Sequence, residues 1–169
     1  MQKVNSLQGK WRNVAFFFTT SLLLMAADQL SKFWIRSNLA IGESVFEVGF
    51  FRLVHVYNTG AAFGLFQGQS FLLTIIALVS VIALLLYAFF FHHKFPFLGS
   101  RLGKLALGLV LGGAVGNLID RIYLGHVTDF IDFDFWPAFN IADSAIVVGV
   151  IILAYSLIGL ATAGKSSDG

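Results

Sequence analysis

The sequence predicts a mainly α-helical polytopic membrane protein with four transmembrane helices, a small extracytoplasmic β-sheet and a short re-entrant segment or half-helix. Three observations predict it. The 169 residues are 57% hydrophobic and only 12% charged, against roughly 25% charged residues in typical soluble domains. Four stretches are apolar over the roughly 20 residues that a helix needs to cross a bilayer. A fifth stretch has the β-branched and aromatic composition of short strands.

The four spans are predicted within one membrane domain, residues 1–169, at residues 14–35, 71–91, 102–122 and 144–164. The second and fourth contain no charged residue, whereas the first and third each carry charges near their far ends. The basic start of the first span resembles a signal sequence. It is long, however, and lacks a clear small-residue cleavage site, so we expect it to be retained.

The distribution of basic residues predicts the orientation of the spans. Short loops rich in Lys and Arg stay in the cytoplasm. Only Arg36 and Arg52 fall on one side of a four-span topology. Seven basic residues fall on the other side: Lys3, Lys10, Arg12, Lys94, Arg101, Lys104 and Lys165. Both termini are therefore predicted to be cytoplasmic, and residues 123–143 to lie outside.

Residues 42–68 differ in kind from the spans. The segment SVFEVGFFRLVHVYN is rich in Val and Phe with partial alternation, which predicts short strands. It is too polar to be a span, so we place it outside as a small sheet on the bilayer surface. The following NTGAAFGLF predicts a turn and then a short apolar helix or re-entrant segment.

Several functional classes are excluded by composition. The absence of cysteine excludes disulfides, thiol nucleophiles, thiolate zinc sites and iron–sulfur clusters. The net charge is only +2 and the basic residues are scattered, so no nucleic-acid partner is expected. None of the four histidines has a partner at a metal-ligand spacing, and we expect neither a metal nor a cofactor.

Polar residues converge at the outer ends of three spans. Ionisable groups in a span are costly, and by default they mark function. The groups share helix faces by their spacing: Asp28 and Lys32; Asn117, Asp120 and Arg121; Asn140 and Asp143. A glycine repeat in the third span, Gly108, Gly112 and Gly116, is typical of helices that pack closely in lipid. Such packing would turn Asn117 and Asp120 inward.

Each polar group also has a simpler interpretation. Asp28 and Lys32 would suit a plain intrahelical ion pair, and Asp120 with Arg121 would suit charges that end a span. Asp143 would suit a helix N-terminal acid that complements the dipole. The convergence at one boundary favours function. For two further acids, Asp132 and Asp134, we favour solvated loop carboxylates.

Paired carboxylates suggest the chemistry. Two acids that share one proton near neutral pH can hydrolyse a peptide, because one activates water while the other donates a proton. Sequence reasoning therefore predicts an aspartic-type hydrolase with Asp143 as one half of the pair. For the other half it leaves four alternatives open: Asp120, Asp129, Asp132 and Asp134.

Five motifs in order resemble bacterial lipoprotein signal peptidase, also called signal peptidase II: DQLSK (28–32), YNTGAAFG (57–64), GNLIDR (116–121), GHVTDF (125–130) and FNIADS (139–144). The resemblance implies an aspartic endopeptidase of the bacterial cytoplasmic (inner) membrane, with its site on the outer face. It would cut prolipoproteins just before a diacylglyceryl-modified cysteine. The implied catalytic dyad is Asp129 and Asp143, joined by a linker of variable length.

The resemblance also implies roles for other residues. The positions that would orient the dyad, hold substrate or stabilise the fold are Asp28, Lys32, Asn58, Asn117, Asp120, Arg121 and Asn140. Residues 42–68 would form the cradle for the lipidated substrate. The implied partners are diacylglyceryl-prolipoproteins, membrane lipid and globomycin-type inhibitors, and we expect a monomer.

Three other classes fit less well. A transporter or proton relay usually places its ionisable groups near the midplane, at repeat interfaces, whereas these lie at one edge. A metal-dependent lipid transferase would bind divalent ions through several carboxylates. A non-enzymatic assembly factor would not need carboxylates buried among aromatic residues.

Overall fold

The structure is a computed structural model that describes residues 2–61, 65–91 and 100–165. Its four long helices are α1 (Gln2–Asn38), α2 (Ser70–Leu86, extended by a π-helical turn over Tyr87–Phe91), α3 (Arg101–Leu124) and α4 (Ile141–Lys165). Stretches of all four are long and apolar enough to cross a membrane: Val14–Asn38, Ser70–Phe90, Arg101–Leu124 and Ile141–Ile158. The predicted four-span architecture is confirmed. The apolar stretches differ from the predicted spans by a few residues at their ends, and helix α1 itself begins at Gln2, twelve residues before its predicted span.

Helix α3 is the centre of the bundle. Within its apolar stretch 67% of the residues are buried, whereas the shares for α1, α2 and α4 are 17%, 17% and 22%. Glycines allow this close packing, because a Cβ atom on Gly108 would lie 2.9 Å from a carbonyl oxygen of α1. The same holds at 2.7 Å for Gly112, and on the other side Gly113 lies against α4. The predicted packing role of the repeat is thus confirmed.

An antiparallel four-stranded sheet covers one end of the bundle, in the order β1-β2-β3-β4. Strands β1 (Ser44–Val48) and β2 (Phe51–Asn58) lie within the predicted β region. Strands β3 (Val127–Phe133) and β4 (Trp136–Phe139) come from the stretch that we interpreted as a linker, and that interpretation was wrong. The acids of β3 interrupt its apolar alternation, and its pairing with β2 joins distant parts of the chain, such as Val56 and Asp129.

The sheet is fixed to the bundle by an apolar cluster. Ile35 and Leu39 near the end of α1 pack with Phe130 of β3, and side chains of β1, β2 and α4 surround them. Gly125 follows α3 with a φ of 78°, a conformation that favours glycine. Its N–H bonds the carbonyl of Arg121, so α3 ends there and the chain enters β3.

Parts of some predictions fall outside the described residues. The predicted half-helix includes residues 62–64, which are outside them, and residues 65–68 form a turn. Two histidines and Lys94 of the loop between α2 and α3 also lie outside. Lys104, counted above as a loop cation, instead lies buried in the first turn of α3.

Candidate active site

Two carboxylates line one cavity between the sheet and the bundle. Asp129 lies in the middle of β3 and is 1% exposed. Asp143 lies in the first turn of α4 and is partly buried. The cavity measures about 720 Å³ and is also lined by Asn58, Asn117 and Arg121. The structure therefore brings the two members of the predicted dyad together.

The carboxylate of Asp129 is held from two sides. The side-chain amide of Asn58 donates to Oδ2 at 2.9 Å, and that of Asn140 donates to Oδ1 at 2.7 Å. Burial raises the pKa of Asp129 to about 7, with a second contribution from the charge of Asp143, against the two hydrogen bonds that lower it. A pKa near 7 is suited to a carboxyl group that exchanges a proton at neutral pH.

Asp143 is held by the start of its own helix and by α3. Its backbone N–H donates to Oδ1 of Asn140 at 2.9 Å, and the backbone N–H of Asn140 donates back to Oδ2 of Asp143 at 3.3 Å. This is the reciprocal pattern of a capping box. Asn117 donates to Oδ1 of Asp143 at 2.7 Å. Because Asn140 also binds Asp129, this one residue sets the placement of both carboxylates.

Behind the cavity lies a buried charged cluster formed by Asp28, Lys32 and Asp120. Lys32 and Asp28 are both 0% exposed, with 2.8 Å between Nζ and Oδ2. The same ammonium lies 3.2 Å from Oδ2 of Asp120 and donates to Oδ1 of Asn117 at 2.9 Å. Asp28 and Lys32 are therefore more than an intrahelical ion pair, since they join α1 to α3 and, through Asn117, to Asp143.

The two buried acids of this cluster also bind backbone next to the cavity. Oδ1 of Asp28 accepts from the N–H of Ala142 at 3.0 Å. Oδ2 of Asp120 accepts from the N–H of Thr128 at 3.0 Å. Each of these N–H groups belongs to the residue immediately before a cavity carboxylate. Asp120 is 1% exposed, so it is a buried ligand of the backbone and not a charge that simply ends a span.

Arg121 lies at the cavity wall. Its Nη2 donates to the carbonyl of Gly60 at 3.2 Å, which ties the end of α3 to the loop after β2. Its Nε is buried and has no hydrogen-bond partner among the described residues. The guanidinium therefore brings positive charge to the cavity and retains a free donor.

Asp132 and Asp134 do not line the cavity. Arg52 binds Asp132 through both Nε and Nη2 at 2.6 Å, and the Asp132 side chain is 13% exposed. The interpretation of Asp132 as a solvated loop carboxylate was therefore wrong, because it lies in β3 beside a cation from β2. Asp134 is 61% exposed, 3.7 Å from Nη1 of Arg52.

Two contributing residues were missed by the sequence reasoning. The amide of Gln29 donates to Oδ1 of Asp120 at 3.1 Å and to the carbonyl of Gly116 at 3.0 Å. Arg36 lies 3.5 Å from Oδ1 of Asp120 and binds the Thr128 hydroxyl at 3.1 Å. Two signals in the sequence could have found them. Gln29 is a polar residue within a predicted span, and Arg36 follows Lys32 by one helical turn, which places both cations on one helix face.

Residues 20–159 match the family described as signal peptidase (SPase) II. The chain belongs to the signal peptidase II family. Two similar proteins are named lipoprotein signal peptidase. The one from Dehalococcoides mccartyi (strain BAV1) is 50% identical over 158 residues, which are 93% of this chain and 98% of the relative. The one from Moorella thermoacetica is 46% identical over 144 residues, covering 84% and 92%.

Two solved structures, each described as a bacterial membrane enzyme, resemble this signal peptidase II chain. One has a TM-score of 0.76 at 30% identity and covers 85% of this chain and 87% of its own. The other has a TM-score of 0.71 at 31% identity, covering 83% and 91%. The expected family and fold class are confirmed. The chain is an aspartic peptidase of the bacterial membrane that removes signal peptides from prolipoproteins.

Proposed function

We propose that this signal peptidase II cleaves diacylglyceryl-modified prolipoproteins just before the lipidated cysteine, with Asp129 and Asp143 as its catalytic residues. The observation that carries the proposal is that both carboxylates line one cavity of about 720 Å³. The raised pKa of Asp129, about 7, supports it further, because a proton donor works best when its pKa lies near the operating pH.

In the proposed reaction the pair shares one proton, held on Asp129. Asp143, which accepts from Asn117 and from the backbone N–H of Asn140, is the ionised partner in this proposal. Ionised Asp143 takes a proton from a water molecule as that water attacks the scissile carbonyl carbon. Protonated Asp129 donates to the carbonyl oxygen, which gives a tetrahedral diol. Its collapse breaks the C–N bond as a proton passes to the leaving nitrogen.

The other predicted residues divide into two groups in this proposal. Asn117 and Asn140 orient the carboxylates, and the buried cluster of Asp28, Lys32 and Asp120 holds both of them in place. Asn58 and Arg121 face the cavity, where they would bind the substrate backbone. For Arg121 the support is its buried Nε, which has no partner among the described residues.

The site would lie at the outer membrane edge, with both termini in the cytoplasm. Two features support this orientation: the excess of basic residues at the opposite end of the bundle, and the length of helix α3. The 24 residues of α3 extend about 36 Å at 1.5 Å per residue. This exceeds a hydrocarbon core of about 30 Å, so the cavity at the end of α3 would reach the interface.

Substrate would enter from the lipid side. The α4 wall of the cavity includes Val147 and Val148, which are 57% and 48% exposed. Because α4 spans the bilayer, these side chains connect the cavity to acyl chains. We propose that globomycin-type inhibitors occupy the same cavity, and that the monomer is sufficient for cleavage without a cofactor.

The test is mass analysis of a diacylglyceryl-modified prolipoprotein before and after incubation with the purified protein. We expect a product that begins at the lipidated cysteine, no cleavage of the unlipidated precursor, and full activity in a chelator. Asp129→Asn and Asp143→Asn should each abolish cleavage, whereas exposed Asp134→Asn is the matched control and should retain it. An Asp129→Asn enzyme that still cleaves the substrate would show that the assignment of the catalytic pair is wrong.

A further inference from the structure

A cluster of aromatic rings lies where the two hairpins of the sheet turn. We call it the aromatic tip and define it as Phe50, Phe51, Phe133 and Phe135. The ring of Phe133 is central, with centroids 5.9, 5.5 and 6.0 Å from those of Phe50, Phe51 and Phe135. The backbone N–H of Asp134 donates to the carbonyl of Phe50 at 3.1 Å. The two turns therefore form one connected surface.

The outer rings of the aromatic tip are not covered by the protein. Phe50 is 58% exposed and Phe135 is 73% exposed. On neighbouring β1, Phe46 and Val48 are 66% and 73% exposed. Rings that hold one another in place yet face outward form a preordered apolar surface, and such surfaces mark contact with another apolar phase or partner.

The same end of the bundle carries aromatic side chains on three helices. Trp34 near the end of α1 is 45% exposed, Phe71 at the start of α2 is 79% exposed, and Tyr123 at the end of α3 is 80% exposed. Aromatic residues concentrate where a membrane protein passes from hydrocarbon to headgroups. Because β3 begins three residues after α3 ends, the sheet leaves the bundle at this depth.

The charges around the aromatic tip oppose an electrostatic attachment. Apart from the buried cavity acid Asp129, the strands β1, β2 and β3 and the turns beside them carry four acids and one base: Glu43, Glu47, Asp132, Asp134 and Arg52. The single guanidinium is bound to Asp132 at 2.6 Å, so it is not free to bind a phosphate. Anionic lipid would be repelled by this surface, and neutral lipid would contact it through apolar groups alone.

We propose that the aromatic tip inserts into the interfacial layer of the bilayer that holds the four spans, and that this apolar contact holds the sheet against the membrane. The occupant is the lipid surface, because the tip continues the aromatic belt of the helices. Insertion does not depend on the catalytic assignment, so a failure of either proposal leaves the other open to its own test.

The chain contains no cysteine, so single spin labels can be placed without removing other thiols. Phe50→Cys and Phe135→Cys place labels on the aromatic tip. Glu47→Cys is the matched control, since Glu47 is an exposed acid of β1 whose carboxylate accepts from the Ser44 hydroxyl at 2.6 Å. Each labelled protein is reconstituted in phosphatidylcholine bilayers. Power-saturation EPR then compares collisions with oxygen, which enters lipid, and with a water-soluble nickel chelate.

We expect the Phe50 and Phe135 labels to collide several-fold more with oxygen than with the nickel chelate, and the Glu47 label to show the reverse. The result should not change when salt is raised, because the contact does not depend on charge. Tip labels that behave like the Glu47 label would overturn the proposal. Labels shielded from both reagents would also overturn it, because a protein contact would then cover the tip.

A second measurement separates the aromatic rings from the rest of the sheet. A label on Val48→Cys should report depth in the wild-type background and move towards water in the Phe50→Ser, Phe135→Ser background. Cleavage in detergent serves as the check that the double variant is folded. If the Val48 label keeps its depth while the enzyme stays active, the rings are not the anchor and the proposal is wrong.

Discussion

Removing the side-chain amide of Asn58 should move the pH profile of cleavage to higher pH. This amide donates to Oδ2 of Asp129 at 2.9 Å and lowers the pKa of that carboxyl group, because it stabilises the ionised form. In Asn58→Ala the ionised form loses this donor, so the pKa of Asp129 rises further. The proton that the reaction needs is then retained to a higher pH.

The magnitude follows from the pKa of Asp129, about 7. If the active enzyme carries a proton on Asp129, kcat/KM is half of its plateau at that pH and falls about tenfold per unit above it. Between pH ~6 and ~9 the wild-type value should fall about 90-fold. A hydrogen bond to a charged group is worth about 1.5–3 kcal/mol, and one pKa unit is about 1.4 kcal/mol. The alkaline limb of Asn58→Ala should therefore move up by at least about one unit.

The assay is the initial rate of cleavage of a lipidated prolipoprotein at substrate concentrations below KM, measured across this pH range. Asn58 also lines the cavity, so the plateau itself will fall. The position of the alkaline limb is the readout, because a lost substrate contact alone would lower the plateau without moving the limb. Asp134→Asn is the control and should leave the limb in place. A limb that stays fixed or moves to lower pH in Asn58→Ala would refute the reasoning.

Two further predictions concern the framework of the site. Lys32→Met leaves two buried carboxylates without their ammonium, so the protein should lose about 3–5 kcal/mol of stability. Arg36→Met is the comparison, because the Arg36 side chain is 25% exposed. A smaller fall in Tm for Lys32→Met than for Arg36→Met would contradict this prediction. Gly113→Ala places a Cβ 2.5 Å from the carbonyl of Ala142, which must push α4 away from α3. Cleavage should fall at least tenfold in Gly113→Ala while far-UV circular dichroism still shows a helical protein, and unchanged activity would show that the helix contact is not needed.

The predictable part of the fold was the part with a local signal. Hydropathy predicted the four spans, and their ends differ because the helices continue through less apolar residues. Strands β3 and β4 were missed, because Asp129 and Asp132 interrupt the alternation of β3. The stability of β3 depends on pairing with β2, about 70 to 80 positions earlier in the chain, and β4 in turn pairs with β3. Such long-range pairing leaves little trace in a local pattern.

In the candidate site, too, the contacts between residues close in sequence were predictable and the long-range contacts were not. The spacing of Asn140 and Asp143 predicted that these residues lie together, and they do, although Asn140 precedes α4 and forms a capping box with Asp143 instead of sharing a helix face. The position of Asp129 depends on the register of β3 against β2, so residue spacing left it among four alternatives and only the family motifs selected it. The role of Asp132 was missed for a similar reason, because its partner Arg52 comes from another strand.

The bonds from Asp28 to the N–H of Ala142 and from Asp120 to the N–H of Thr128 have a consequence for mutational tolerance. Every amino acid except proline offers the same N–H, so these bonds place no demand on the side chains at 142 and 128. The demand falls on two acids that do not line the cavity. A compound that fills the cavity would therefore contact Asp129 and Asp143, but not Asp28 and Asp120, which hold the backbone beside them. On the proposed assignment of the pair, substitutions at Asp28 and Asp120 would displace the catalytic carboxylates without removing any contact to the compound, so we expect few resistant variants at these two positions.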